Sequence, residues 1–198
     1  MLRVLTASGI LLASIVMPVS ADAAILQYGA ALSGAAESPS NASPATGLAS
    51  VIINTSANTM EVIVSFSGLT GNTTASHIHC CTAVPGTGTG GVATVTPTFT
   101  SFPVGVTAGA YDHLFDLTLS SSYNPAFVTA NGGTAASAEV ALLAGIAAGT
   151  SYLNIHTIAF PSGEIRGFLT AQAVPEPASL LLLGTGVIGL LSTRRRMR

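Results

Sequence analysis

The sequence contains no lysine and no tryptophan, and charged residues of either sign are scarce. All six basic residues are arginines, and only 7% of the 198 residues are charged. Between residues 24 and 173, six acidic residues stand against a single base, Arg166, which leaves a net charge of −5. Because one base cannot neutralise a run of phosphates, we expect no nucleic-acid partner.

Short motifs of several common enzyme classes are also absent. The chain has no G-x-S-x-G nucleophile elbow, no phosphate-binding Walker loop and no H-E-x-x-H zinc motif. The glycines from Gly86 to Gly91 are not placed between a strand and a helix, so they predict a loop rather than a phosphate cradle. We therefore expect a non-enzymatic protein and assign no catalytic residue.

The N-terminus has the layout of a secretory signal peptide. Arg3 precedes an apolar run over residues 4–19, and the small-x-small triplet Ala21-Asp22-Ala23 follows. A basic start, a short apolar core and a small-residue cleavage site predict a signal peptide over residues 1–23. The exported domain would then occupy residues 24–173, a length that suits one domain with a proper core.

The C-terminus, residues 174–198, predicts a second membrane-associated segment. An apolar run from residue 178 is closed by arginines, which predicts a transmembrane helix over residues 178–193 with its arginines on the cytoplasmic side. The 14 apolar residues 178–191 cover about 21 Å as a helix, against a hydrocarbon core of about 30 Å, so the membrane hold should be temporary.

The same tail resembles a PEP-CTERM sorting signal of Gram-negative bacteria. The resemblance is carried by Pro175, Glu176 and Pro177, the apolar run, and the final Arg194, Arg195 and Arg196. It implies cleavage by an exosortase-type protease near the Pro-Glu-Pro motif. A precursor held in the inner membrane would become a cell-surface or extracellular-matrix protein, with extracellular polysaccharide as a candidate partner.

Residues 24–173 show the pattern of an all-β domain. β-Branched residues alternate with polar ones, and glycine and proline interrupt them at short intervals. In residues 59–67, for example, Met60, Val62 and Val64 share one face. Residues 92–99 predict a weaker strand, and residues 121–149 change to a helical period. We expect a β-sandwich with one short helical crossover.

Four pieces of this region resemble the CHRD domain, a family first described in chordin. They are LSGAAESP at residues 32–39, ATG at 45–47, FSGLTGNTTASHIH at 66–79 and LNIHTIAFPSGEIRG at 153–167. The resemblance covers nearly all of the predicted domain and implies an immunoglobulin-like β-sandwich. It leaves the biochemical activity open.

Three histidines form the candidate metal site. His77 and His79 are two residues apart, so on a strand both imidazoles point to the same face. His156 lies in the last hairpin and would join them if the two strands are neighbours. Copper or zinc is the metal that such ligands suit. The H-x-H pattern is also similar to that of copper–zinc superoxide dismutase, which suggests at most weak redox activity.

The alternative is a structural polar cluster that needs no cofactor. In it His77, His79 and His156 would bond to backbone groups and to Glu164, and Arg166 would pair with Glu164 to close the hairpin. Buried polar groups require such partners. The sequence leaves both readings of the histidines open.

The adjacent residues Cys80 and Cys81 are the only cysteines. Exported proteins usually oxidise their cysteines, which favours a disulfide between these two neighbours. Two free thiols beside the histidines would instead be copper or zinc ligands, and pairing between chains is a third option.

Together these features predict an exported, exosortase-sorted protein with a structural or binding role. The alternative function is copper or zinc binding by a histidine site at one end of the sandwich.

Overall fold

The computed structural model describes residues 25–173. The predicted signal peptide and the C-terminal segment, residues 174–198, lie outside the described residues, so the transmembrane prediction for residues 178–193 stays a prediction. Within residues 25–173, no helix is long and apolar enough to cross a membrane.

The described residues form nine strands and two α-helices. The strands are β1 (Ile25–Ser33), β2 (Thr46–Asn54), β3 (Thr59–Ser67), β4 (Thr73–Cys80), β5 (Gly91–Val92), β6 (Gly109–Asp116), β7 (Tyr152–Thr157), β8 (Ile165–Phe168) and β9 (Thr170–Gln172). They pair antiparallel in the order β5-β4-β7-β8-β1-β2-β3-β6, and β9 pairs with β1. The all-β prediction is confirmed, whereas the immunoglobulin-like assignment stays a prediction.

The crossover between β6 and β7 consists of α1 (Pro125–Ala130) and α2 (Ala135–Ala147), in agreement with the helical period predicted for residues 121–149. Both begin with caps that the sequence supplies. The Asn124 side chain accepts a bond from the Ala126 N–H, and Thr134 forms a reciprocal capping box with Ser137. Such caps satisfy backbone donors that the first turn leaves unpaired.

One hydrophobic core lies between the curled halves of the sheet. In β3 the residues at even positions are buried and those at odd positions are polar or more exposed, as the period of a strand requires. Fully buried side chains of both halves and of α2 join this core, among them Val62, Ile78, Leu142, Leu153 and Ile165.

Residues 93–107 close the sheet on itself. The N–H of Phe99 donates to the Ser76 carbonyl at 2.9 Å, which ties this segment to the β4 edge. The Phe99 ring lies 5.6 Å from the ring of Tyr111 and 5.5 Å from that of Phe115, both on β6. The segment thus joins strands near opposite ends of the sheet order. It is not the strand predicted for residues 92–99, because Pro97 cannot donate to a ladder.

Replacing Phe99 with alanine should therefore destabilise the domain by about 3–5 kcal/mol, because the ring is fully buried and holds β6 to the β4 edge. Leu114→Ala is the matched control: Leu114 lies on β6 but is 61% exposed, so its loss should cost less than about 0.5 kcal/mol. Urea unfolding of both variants measures the difference. Equal losses would contradict the closing role of Phe99.

Candidate metal centre

The strands β4, β7 and β8 have a core face and a polar face. Ile78, Leu153 and Ile155 point into the hydrophobic core. Side chains alternate along a strand, so the residues between them lie on the opposite face. We call this group the polar face, and it consists of His77, His79, Tyr152, Asn154, His156 and Arg166.

Antiparallel pairing of β4 with β7 brings the three histidines together. His79 lies opposite Tyr152, His77 opposite Asn154, and Ala75 opposite His156. The His77 ring centroid is 4.8 Å from that of His156 and 5.1 Å from that of His79. The structure thus joins His156 to the H-x-H pair. The group lies on the sheet face opposite the core, rather than at a sandwich end.

Each imidazole uses one ring nitrogen to donate to a backbone carbonyl. Nδ1 of His79 lies 2.9 Å from the Gly90 oxygen, and Nδ1 of His156 lies 2.9 Å from the Pro161 oxygen. His77 bonds to the backbone of Pro97, which has only a carbonyl to offer. A carbonyl can only accept, so each of these ring nitrogens carries the proton.

The other ring nitrogen of each histidine has no hydrogen-bond partner. These atoms are Nδ1 of His77, Nε2 of His79 and Nε2 of His156, and all three are buried. A buried acceptor left unpaired costs about 1–3 kcal/mol. Metal-binding histidines show this same arrangement, with one nitrogen donating to a carbonyl and the other directed at the ion.

The spacing of the three histidines suits one metal ion after a small closure. Their ligand atoms lie within 4.8 Å of one another. Two ligands of one zinc ion lie at most about 4.2 Å apart, because each Zn–N bond is about 2.1 Å long. The widest pair must therefore close by at least roughly 0.6 Å on binding, and by about 1.2 Å if three nitrogens surround the ion evenly in one plane. Among residues 25–173, no carboxylate or thiol joins this group.

Burial keeps the three imidazoles neutral. It lowers the pKa of His77 to about 3, with smaller contributions from the charges of His156 and His79. Burial also lowers the pKa of His79 and of His156. A metal ion binds the neutral imidazole, so protons would compete weakly with it at neutral pH.

The predicted polar cluster divides into two groups, because Glu164 lies away from the histidines. Its carboxylate accepts bonds from the Ser43 hydroxyl at 2.7 Å, the Thr157 hydroxyl at 2.6 Å and the Thr70 N–H at 2.6 Å. Burial alone would raise the pKa of Glu164, but these bonds outweigh it and lower the pKa. Glu164 thus fastens three chain segments together.

Arg166 does not pair with Glu164 either. Its Nε lies 3.8 Å from a carboxylate oxygen of Glu37, and both side chains are almost fully buried. Burial raises the pKa of Glu37 to about 7, against the opposing effects of Arg166 and of a bond from Asn154. The predicted Arg166–Glu164 pair is therefore wrong. The sequence motif had suggested it through proximity along the chain, whereas the real partner lies 129 residues away.

Cys80 and Cys81 form a disulfide with each other. Cys80 lies on the core face of β4, opposite the two histidines of that strand. The disulfide packs beneath α2 at Gly145, where a Cβ atom would lie only 2.7 Å from the Cys81 sulfur. Neither sulfur is therefore a ligand at the histidine group.

Tyr152 is a site residue that the sequence reading missed. Its ring stacks on the His79 ring, with centroids 4.8 Å apart and planes inclined by 6°. The alternation Tyr152, Asn154, His156 was the available signal, because these positions share one strand face. Backbone carbonyls such as that of Gly90 have no sequence signal at all.

Comparison with known families agrees with the fold and the tail. The CHRD domain family model matches residues 28–169, and the PEP-CTERM protein-sorting motif matches residues 173–196. No curated protein and no solved structure gives a significant match.

The histidines should make the metal-free protein less stable in mild acid. Their pKa values are lowered in the folded state, so the unfolded chain binds more protons below about pH 6.5 and the free energy of unfolding falls. Each of His77, His79 and His156 contributes up to about 1.4 kcal/mol per pH unit. Glu37 has the opposite effect, because its raised pKa means that the folded chain binds its proton more tightly, and it offsets the contribution of one histidine.

Urea unfolding of chelator-treated protein between pH 7.5 and pH 5 measures this slope. His113→Gln should keep it, because His113 lies on β6, outside the group. Stability that does not fall over this range would contradict the burial of three neutral imidazoles.

Proposed function

The chain belongs to the CHRD-domain family, and we propose that its exported domain binds one zinc or copper ion through His77, His79 and His156. One observation carries this proposal: three buried ring nitrogens converge and lack hydrogen-bond partners. Buried polar groups in native proteins are nearly always paired, and these three belong to side chains whose ligand atoms lie within 4.8 Å of one another, which favours a shared ligand.

The proposed role is binding without catalysis. The site supplies three neutral nitrogen donors, and within residues 25–173 no carboxylate or thiol joins the group to act as a nucleophile or as a general acid or base. Tyr152 contacts His79 through its ring face, and its hydroxyl is bonded to the backbone of Gly90. These contacts favour holding an ion rather than transforming a substrate.

Export determines the compartment in which the domain would bind its ion. The PEP-CTERM sorting motif begins four residues after the CHRD match ends. Because it carries this motif, the protein is an exported substrate of exosortase-type sorting machinery. In the proposed sequence of events, the segment 178–193 holds the precursor in the inner membrane, and cleavage then delivers the domain to the cell surface or the extracellular space. The metal would be bound outside the cytoplasm.

The exported protein, stripped with a chelator and equilibrated with Zn²⁺ or with copper, should retain one ion per chain. Elemental analysis after gel filtration measures this stoichiometry. The double variant His77→Ala, His79→Ala should lose the ion, because one imidazole cannot hold it. His113→Ala should keep it. A wild-type protein that emerges free of both metals would end the proposal.

Binding should also stabilise the fold. An ion at 100 times its dissociation constant adds about 2.7 kcal/mol to the free energy of unfolding, because it binds the folded chain alone. A metal-dependent rise in Tm that the double variant lacks would separate specific binding from surface adsorption.

Processing can be tested separately from metal binding. Replacing Pro175, Glu176 and Pro177 with alanine should leave the uncleaved precursor in the membrane fraction of an exosortase-containing host. Mass spectrometry of the exported protein locates the natural C-terminus. Cleavage of the triple variant at the same place would show that the motif is not the recognition element.

A further inference from the structure

We infer that the ion held by His77, His79 and His156 is copper(I) in preference to zinc(II). The buried positive charge of Arg166 lies close to the site and repels a divalent ion more than a monovalent one. This inference rests on the proposed metal-binding function and deepens it. The side chains around the three histidines, rather than the histidines themselves, indicate which ion is preferred.

A stack of three side chains runs across the strands β4, β7 and β8. The Tyr152 ring lies 4.8 Å from the His79 ring, and the Arg166 guanidinium carbon lies 4.6 Å from the centre of the Tyr152 ring. Because β7 lies between β4 and β8, His79 and Arg166 approach Tyr152 from opposite sides. These two spacings place a positive charge within about 10 Å of the His79 ring.

This positive charge is held in place. The guanidinium donates to the carbonyls of Ala36 and Gly88, and the Arg166 residue is only 4% exposed. The Tyr152 hydroxyl is bonded to Gly90, whose carbonyl also accepts the His79 N–H. Arg166 therefore cannot swing into solvent when an ion enters, and water screens its charge poorly.

The three ligands carry no negative charge that would offset the second positive charge of Zn²⁺. All three donors are neutral imidazoles, and the cysteine sulfurs are bound in their disulfide. Glu164 is occupied by hydroxyl and N–H donors elsewhere, and Glu37 lies against Arg166. Zinc usually completes a tetrahedron with a fourth ligand. With three histidines, a water molecule supplies that fourth zinc ligand, so the preference rests on charge: copper(I) carries one positive charge and zinc carries two.

The electrostatic preference has a calculable size. A unit charge at about 10 Å, in an effective dielectric constant of about 20, repels a divalent ion more than a monovalent one by roughly a factor of ten in the dissociation constant. The carboxylate of Glu37 partly compensates this repulsion when it is ionised. Removing the negative charge of Glu37 should therefore increase the preference for copper(I). Removing the positive charge of Arg166 as well should decrease it.

The experiment measures two dissociation constants on the exported wild-type protein at pH 8. Copper(I) is titrated without oxygen against a chromophoric copper(I) chelator, and Zn²⁺ against a chromophoric zinc chelator. The expected Kd for copper(I) is lower than that for zinc, by less than the uncompensated factor of about ten, because Glu37 is ionised at this pH. A zinc Kd equal to or lower than the copper(I) value would overturn the inference while leaving the proposed metal binding intact. Failure of both ions to bind would remove both.

Two variants test the cause. Glu37→Gln is close in shape to the wild type and should raise the ratio of the zinc Kd to the copper(I) Kd. The double variant Glu37→Gln, Arg166→Met should lower this ratio about tenfold relative to Glu37→Gln alone. A ratio that Glu37→Gln leaves unchanged or lowers would overturn the role of the charge. This single variant decides the matter even if the double variant does not fold.

Discussion

The antiparallel register between β4 and β7 is the constraint on which the rest of this structure depends. It sets His79 opposite Tyr152 and His77 opposite Asn154, and the same pairing sends Ile78 and Leu153 into the core. A shift of one residue would exchange the two faces, burying imidazoles in the core and exposing leucine and isoleucine. The hydrophobic effect therefore fixes the register, and the histidine group follows from it.

A second layer of structure covers the polar face. Backbone carbonyls of Gly90, Pro97 and Pro161 fix the tautomers of the three histidines, and Gly88 holds Arg166. This layer leaves one nitrogen of each histidine, and also Oδ1 of Asn154 and Oε1 of Glu37, buried and unpaired. Unpaired buried acceptors lower stability, and their presence is a common sign of function because native folds otherwise pair such groups.

Local relationships in this fold could be predicted from the sequence, whereas contacts between distant residues could not. The strand pattern and the H-x-H face were predictable, because side-chain alternation is a local property. The pairing of Arg166 was not predictable, because its partner Glu37 lies across the fold and the nearby acid of the same motif, Glu164, bonds elsewhere. Tyr152 was not predicted as a site residue, because its position between a histidine and an arginine depends on the pairing of three strands.

By itself, the sequence determined the all-β class, the C-terminal sorting motif and the presence of metal-compatible side chains. These depend on composition, periodicity and short contiguous motifs. Only the tertiary structure decided which nitrogen of each histidine is free, that the disulfide faces away from the site, and that Glu164 and Arg166 have separate partners. Such facts depend on contacts between residues far apart in the chain and on backbone carbonyls, which no side-chain pattern encodes.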